Sequence, residues 1–173
     1  PLYSSAASDV YKRQVEILAR LRGPDGCPWD KEQTHESLKK YAIEESYELC
    51  DAIDRQDDED IKEELGDVLL QVVFHAQLAS EGKRFTISDA IDAVNQKMLS
   101  RHPHVFGDDT AETAEDVLRK WEHSKLKEKE EGTSILAGVP TALPALLKAF
   151  VIQRRVARVG FDWEKTDDVV AKL

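Results

Sequence analysis

Between Ile61 and Ala79 the apolar residues Ile61, Leu65, Val68, Leu69, Val72, Val73, Ala76 and Ala79 recur at three- and four-residue spacing. That is the period of an α-helix and not of a strand. The stripe is too wide for a helix that shows most of its surface to water, so this helix, predicted from about Asp58 to Ser80, belongs at the centre of its fold. No apolar–polar alternation of useful length occurs elsewhere in the sequence, and the expected fold class is all-α, a helical bundle with short connections.

The neighbours of that helix read in the same way. Thr34 is a good N-cap for a helix running to about Asp54, with Leu38, Tyr41, Ala42, Glu45, Leu49, Ala52 and Ile53 at helical spacing. Val15, Leu18 and Leu21 mark a short helix that the Gly23-to-Pro28 stretch ends, and that stretch reads as a loop. Thr86 or Ser88 caps a fourth helix that Pro103 stops. Thr113 and Asp116 resemble a capping box for a fifth, which carries Val117, Leu118 and Trp121 into a charged run ending near Glu131. Residues 1–14 show little helical periodicity and read as an extraneous, adapter-like tail. After Gly132 the composition changes, so 15–131 is expected to be one domain and 132–173 a linker with the truncated opening of another, including a short basic helix from Lys148 to Arg158.

Charge and cysteine usage limit the partners. With 34 Asp and Glu against 24 Lys and Arg, the formal net charge is −10, which disfavours duplex nucleic acid and anionic membranes. Cys27 and Cys50 have no CxxC companion and read as reduced thiols. No apolar run approaches the ~20 residues of a membrane span. A soluble, cytoplasmic protein is expected.

Five acids carry the chemistry. Glu44, Glu45 and Glu48 fall within one helical turn, and Glu64 and Asp67 are three residues apart on the next helix, around Gly66, which leaves room for close helix approach or for a ligand. A short connection at 55–60 favours antiparallel packing that turns the two groups toward each other. Crowded carboxylates repel and resist desolvation unless cations occupy the space between them. All-oxygen ligands select Mg²⁺, with Mn²⁺ as a substitute, and four or five carboxylates suggest two or more ions bridging a polyphosphate. The competing reading is a solvent-facing acidic stripe. Against it, Glu45 shares the spacing of Leu38, Ala42, Leu49 and Ala52, and Glu64 and Asp67 flank Leu65 and Val68.

Glu44-Glu45-x-x-Glu48 with Glu64-x-x-Asp67, the preceding Gly26-Cys27-Pro28-Trp29-Asp30-Lys31-Glu32-Gln33-Thr34-His35, and Arg101-His102-Pro103-His104-Val105-Phe106-Gly107 together resemble the MazG nucleoside triphosphate pyrophosphohydrolases. The resemblance covers about Val15 to Glu131 as a complete domain and Ile135 to Leu173 as the start of a second. It implies an all-α fold whose core is completed by dimerisation, a homodimer or higher oligomer. It also implies Mg²⁺-dependent cleavage of NTPs and dNTPs to a monophosphate and pyrophosphate, with broad base tolerance. Glu45, Glu48, Glu64 and Asp67 are then the metal ligands, and Glu44 a catalytic neighbour that orients water or shares a metal. Lys97 and Arg101 contact the triphosphate, where the alternative is a basic helix end.

Trp121 suits base stacking or core packing equally. Trp29 is a further stacking candidate or a loop anchor, with the anchor favoured. His102 and His104 imitate a metal pair but lack a third ligand nearby, which favours capping or loop hydrogen bonds. No second EExxE motif precedes Leu173, so the alternative function is a catalytically weak or silent nucleotide-binding or dimerisation domain that supports a missing catalytic half.

Overall fold

The structure is a computed structural model that describes residues 5–127, 134–157, 160–163 and 165–171. Among the described residues the regular structure is all helix, without strands: α1 (Ser5–Leu21), α2 (Pro28–Glu32), α3 (His35–Arg55), α4 (Asp58–Glu81), α5 (Ile87–Arg101), α6 (Pro103–Phe106), α7 (Ala114–Lys127), α8 (Ala145–Ala157) and α9 (Thr166–Val170). The chain divides into two compact units, Pro1–Asn95 and Gln96–Leu173. The domain boundary expected at 131–132 and the end of the charged run at Glu131 lie outside the described residues, as does Arg158.

In the first unit α3 and α4 form a helical hairpin. Its termini are built from local chemistry. The Thr34 side chain accepts from the Ser37 amide at 3.2 Å while the Ser37 hydroxyl accepts from the Thr34 amide at 2.9 Å, a reciprocal cap at the start of α3. Gln56 ends α3 in a left-handed conformation, φ 57°, so only Gln56 and Asp57 separate the helices, and Asp57 accepts from the amides of Glu59 and Asp60. So short a turn forces the helices side by side.

Leu18 of α1, Leu38 of α3, and Val73 and Phe74 of α4 form the buried core, with Val15, Tyr41 and Leu78 packed against it. The core therefore gathers at one end of the hairpin. Along another face of α4, Leu65, Leu69 and Val72 remain about half exposed, so the wide stripe is only partly covered within this chain. The close helix approach expected at Gly66 is not made either: a Cβ there would meet nothing within 4 Å.

Three local features differ from the sequence expectation. α1 begins at Ser5, well before Val15, because periodicity reports a packed face and a helix extends without one where no breaker intervenes. The loop after Gly23 holds a short helix, α2, with Pro28 at its first position, where a missing N–H costs nothing. Pro103 ends α5 and also opens α6. Gly26 is required in this loop, since a Cβ would stand 2.0 Å from the Leu21 carbonyl oxygen.

Polar contacts fasten the core end. Arg22 reaches from α1 to Glu81, to the carbonyls of Asp30 and Gln33, and over the Phe74 ring at 5.6 Å. Arg84 donates to His35 Nε2 at 2.6 Å, and His35 Nδ1 lies 2.7 Å from His75 Nδ1. Because Nε2 accepts, His35 carries its proton on Nδ1 and donates it to His75. The imidazole planes are within 4° of parallel with centroids 5.0 Å apart. A nitrogen separation of 2.7 Å is shorter than stacked rings allow, so the two rings lie edge to edge.

In the second unit, the Thr113 hydroxyl accepts from the Asp116 amide at 3.1 Å, the N-cap half of the expected capping box, and donates to the Asp116 carboxylate at 2.9 Å. Arg155 of α8 donates to the carbonyls of Ile135, Ala137 and Gly138, gathering the 135–138 turn onto that helix.

Candidate metal centre

The hairpin sets the geometry of the acidic residues. Glu45 and Glu48 project from one turn of α3 and Glu64 from α4, and carboxylate oxygens from these three lie within 4.8 Å of one another. The residues come from two helices, so the grouping is a product of packing and not of a single acidic face. Glu48 is exposed, while Glu45 and Glu64 are partly covered. Asp67, one turn after Glu64, acts on both Glu45 and Glu64 through its charge. Glu44 is exposed and outside this group.

The electrostatics show the cost of the arrangement. Burial, then the charges of Asp67, Glu48 and Glu64, raise the Glu45 carboxyl above its ordinary range. Burial, then Glu48 and Asp67, do the same to Glu64. Glu64 Oε2 is buried with no hydrogen-bond partner, although a carboxylate oxygen ordinarily finds a donor. Converging carboxylates, raised proton affinity and an orphaned oxygen are together what a hard divalent cation relieves. The residues present fit such an ion, and an all-oxygen donor set suits Mg²⁺ or Mn²⁺ better than softer metals.

The remaining site candidates fall in both units. Trp29 is half exposed on α2, and its ring meets Tyr41 of α3 edge-on at 5.9 Å and 65°, a contact that ties the loop helix to the hairpin. In the second unit, Lys97 is exposed and Arg101 lies one turn later, its guanidinium carbon 5.3 Å from the centroid of the Trp121 ring. Arg101 and Trp121, twenty residues apart in sequence, are thus brought into contact. His102 Nδ1 lies 2.7 Å from the Met98 carbonyl oxygen, the capping role that the sequence favoured over metal binding.

Sequence reasoning missed Arg22, Arg84 and the His35–His75 pair, which brace the end of the hairpin away from the acids. Only their neighbours in space reveal them. Arg22 follows α1 with nothing in its flanking residues to mark it, and His35 and His75 are forty residues apart.

Comparison with known proteins supplies the rest. Residues 33–106 match the family described as the MazG nucleotide pyrophosphohydrolase domain. The chain is 48% identical over 168 residues to the nucleoside triphosphate pyrophosphohydrolase/pyrophosphatase MazG of Thermotoga maritima, covering 96% of this chain and 64% of that protein. It is also 48% identical over 164 residues to the nucleoside triphosphate pyrophosphohydrolase of Escherichia coli K12, covering 93% of this chain and 62% of that protein. The chain therefore spans just under two thirds of the length of these relatives. A crystal structure of a MazG-related protein from Thermotoga maritima superposes with a TM-score of 0.56 at 28% identity, over 66% of this chain and 98% of that one.

Proposed function

We propose that this chain, which belongs to the MazG family through a nucleotide pyrophosphohydrolase domain at residues 33–106, hydrolyses nucleoside triphosphates to a monophosphate and pyrophosphate. The observation that carries the reading is the meeting of Glu45, Glu48 and Glu64 across the α3–α4 hairpin, with Glu64 Oε2 left without a partner.

Glu45, Glu48, Glu64 and Asp67 hold the divalent cations, Mg²⁺ or Mn²⁺ in its place, and Glu44 orients water beside them. Bound Mg²⁺ supplies charge neutralisation on the phosphate oxygens and makes water a better nucleophile. The protein's part is positioning and electrostatics, because the transferred phosphoryl group needs little covalent help. Lys97 and Arg101, in the second unit, are candidates for phosphate contact, Arg101 with a guanidinium able to engage two oxygens. Trp121 is the base contact of the second unit, and Trp29, in the first unit, is a separate stacking candidate. An indole stacks on the π-face that every base shares, which supports broad NTP and dNTP use.

The half-exposed Leu65, Leu69 and Val72 on α4 support a homodimer whose second copy completes the core. Among the described residues no helix is long and apolar enough to cross a membrane, and the free Cys27 and Cys50 suit a reducing cytoplasm.

Incubation of the chain with Mg²⁺ and a panel of NTPs and dNTPs tests the reaction. Monophosphate and pyrophosphate are expected in equal amounts, with turnover lowered at least ~100-fold by Glu45→Ala or Glu64→Ala. Orthophosphate as the main product refutes the cleavage position, and unchanged turnover in both variants refutes the site.

A further inference from the structure

His102 sits between α5 and α6, immediately before Pro103. A carbonyl oxygen only accepts, so the 2.7 Å contact with Met98 means that His102 Nδ1 carries the proton and donates it. Pro103 has no N–H to offer the Leu99 carbonyl at the end of α5, and the imidazole adds a side-chain donor to the neighbouring Met98 carbonyl. Held at one nitrogen, the ring cannot turn without losing that bond. Its plane meets the Trp121 ring at 68° with centroids 4.9 Å apart, the tilted arrangement that ring quadrupoles favour. The preceding residue, Arg101, lies over the same indole. Two successive side chains therefore fix the tilt of Trp121, and all of these residues lie within one compact unit.

We infer that His102 is a positioning residue for nucleobase recognition: pinned by the Met98 carbonyl, it holds the Trp121 indole at the angle a base must match to stack on it. The inference rests on the reading of Trp121 as the base contact. A histidine that only caps α5 would make the same hydrogen bond, but its removal would not discriminate between a ligand with a base and one without.

Three variants of the full chain separate these roles. His102→Asn keeps a donor for the Met98 carbonyl and removes the ring; His102→Phe keeps a ring and removes the donor; Trp121→Ala removes the platform. Affinity is read by calorimetry with a non-hydrolysable ATP analogue and with inorganic tripolyphosphate, which has no base, and kcat is read with ATP and Mg²⁺. Both His102 variants are expected to weaken the ATP analogue about two- to tenfold, leave tripolyphosphate binding unchanged and keep kcat within about twofold. In a Trp121→Ala background the effect is expected to vanish.

Equal weakening of both ligands, or an effect that persists without Trp121, overturns the inference. So does full affinity for the analogue in the His102 variants while Trp121→Ala lowers it, and the base-contact reading then stands. Unchanged affinity in Trp121→Ala itself overturns that reading and this inference together. Should His102→Phe fail to fold, His102→Asn, which retains the helix cap, decides between these outcomes.

Discussion

Arg22, just past the end of α1, holds both carboxylate oxygens of Glu81, the last residue of α4, at 2.8 and 2.7 Å. The arginine side chain is only 8% exposed against 38% for the glutamate, and its Nη1 donates to the Asp30 and Gln33 carbonyls. One guanidinium thus joins α1, the α2 loop and α4 at the end of the hairpin where the core lies. The acids Glu45, Glu48 and Glu64 occupy the hairpin away from this clamp, so the stability that fixes their geometry is generated elsewhere.

Arg22→Ala is expected to lower unfolding free energy by about 2–4 kcal/mol in urea denaturation, since it strands two carbonyls and a carboxylate. Arg22→Lys should recover only part of this, because an ammonium cannot form the paired contact. The arginine holds Glu81 below the usual carboxylate range. The pair's contribution is therefore complete above the ordinary glutamate value and lost as pH falls through the lower folded one. Urea midpoints of the wild type and Glu81→Gln should converge as pH is lowered through this window.

His75 gives a second pH dependence. Burial, then the neighbouring His35, lowers its pKa from 6.5, and the folded state binds the proton less readily than the unfolded chain. Its neutral form therefore stabilises the fold above about pH 6.5, and this stability declines as pH falls toward the folded value. Tm measured between pH 8 and 5 should show this decline, and His75→Asn, which cannot titrate, should flatten it. An equal slope in the variant would place the titrating group elsewhere.

At Gly66 the chain itself leaves open space. Gly66→Ala should raise unfolding free energy by up to about 1 kcal/mol through helix propensity, measured in urea at low protein concentration. A fall in stability would show that something outside this chain's own atoms occupies the space.

The exposed stripe on α4 makes a prediction about assembly. Leu69→Lys should convert the proposed dimer to monomer in sedimentation equilibrium while leaving the circular dichroism spectrum intact, because Leu69 is already half exposed within the chain. A dimer that survives both this change and Leu65→Lys would place the interface on another face.

The sequence was most legible where local chemistry decides structure. Thr34 and Thr113 marked helix starts because side-chain capping is a short-range effect, and the spacing of Leu18, Leu38 and Val73 identified helix faces that do meet in the core. The acidic cluster was half legible. Spacing put Glu45 with Glu48 and Glu64 with Asp67, but their meeting required a turn as tight as Gln56-Asp57, and Gln56 does not advertise its left-handed conformation as a glycine would. The full extent of α1 was missed because Ser5 to Gln14 lacks the apolar repeat by which helices are recognised. The Arg101–Trp121 contact and the His35–His75 pair depend on folding back over many residues, which no window along the chain reports.

Thermal melting at pH 7 with EDTA and then with saturating Mg²⁺, for the wild type and for Glu45→Gln with Glu64→Gln, tests most directly whether the hairpin is a metal centre. Both carboxyls are raised above their ordinary range, so their contribution to stability is complete below pH 4.5 and lost as pH rises through the folded values. At neutral pH without a cation they oppose folding. The double variant is therefore expected to melt higher than the wild type in EDTA. Mg²⁺ should raise the wild type alone, by an amount equivalent to about 2.7 kcal/mol at one hundred times Kd. A wild type indifferent to both Mg²⁺ and Mn²⁺, melting with the variant in every buffer, would mean that these acids are an ordinary solvated surface.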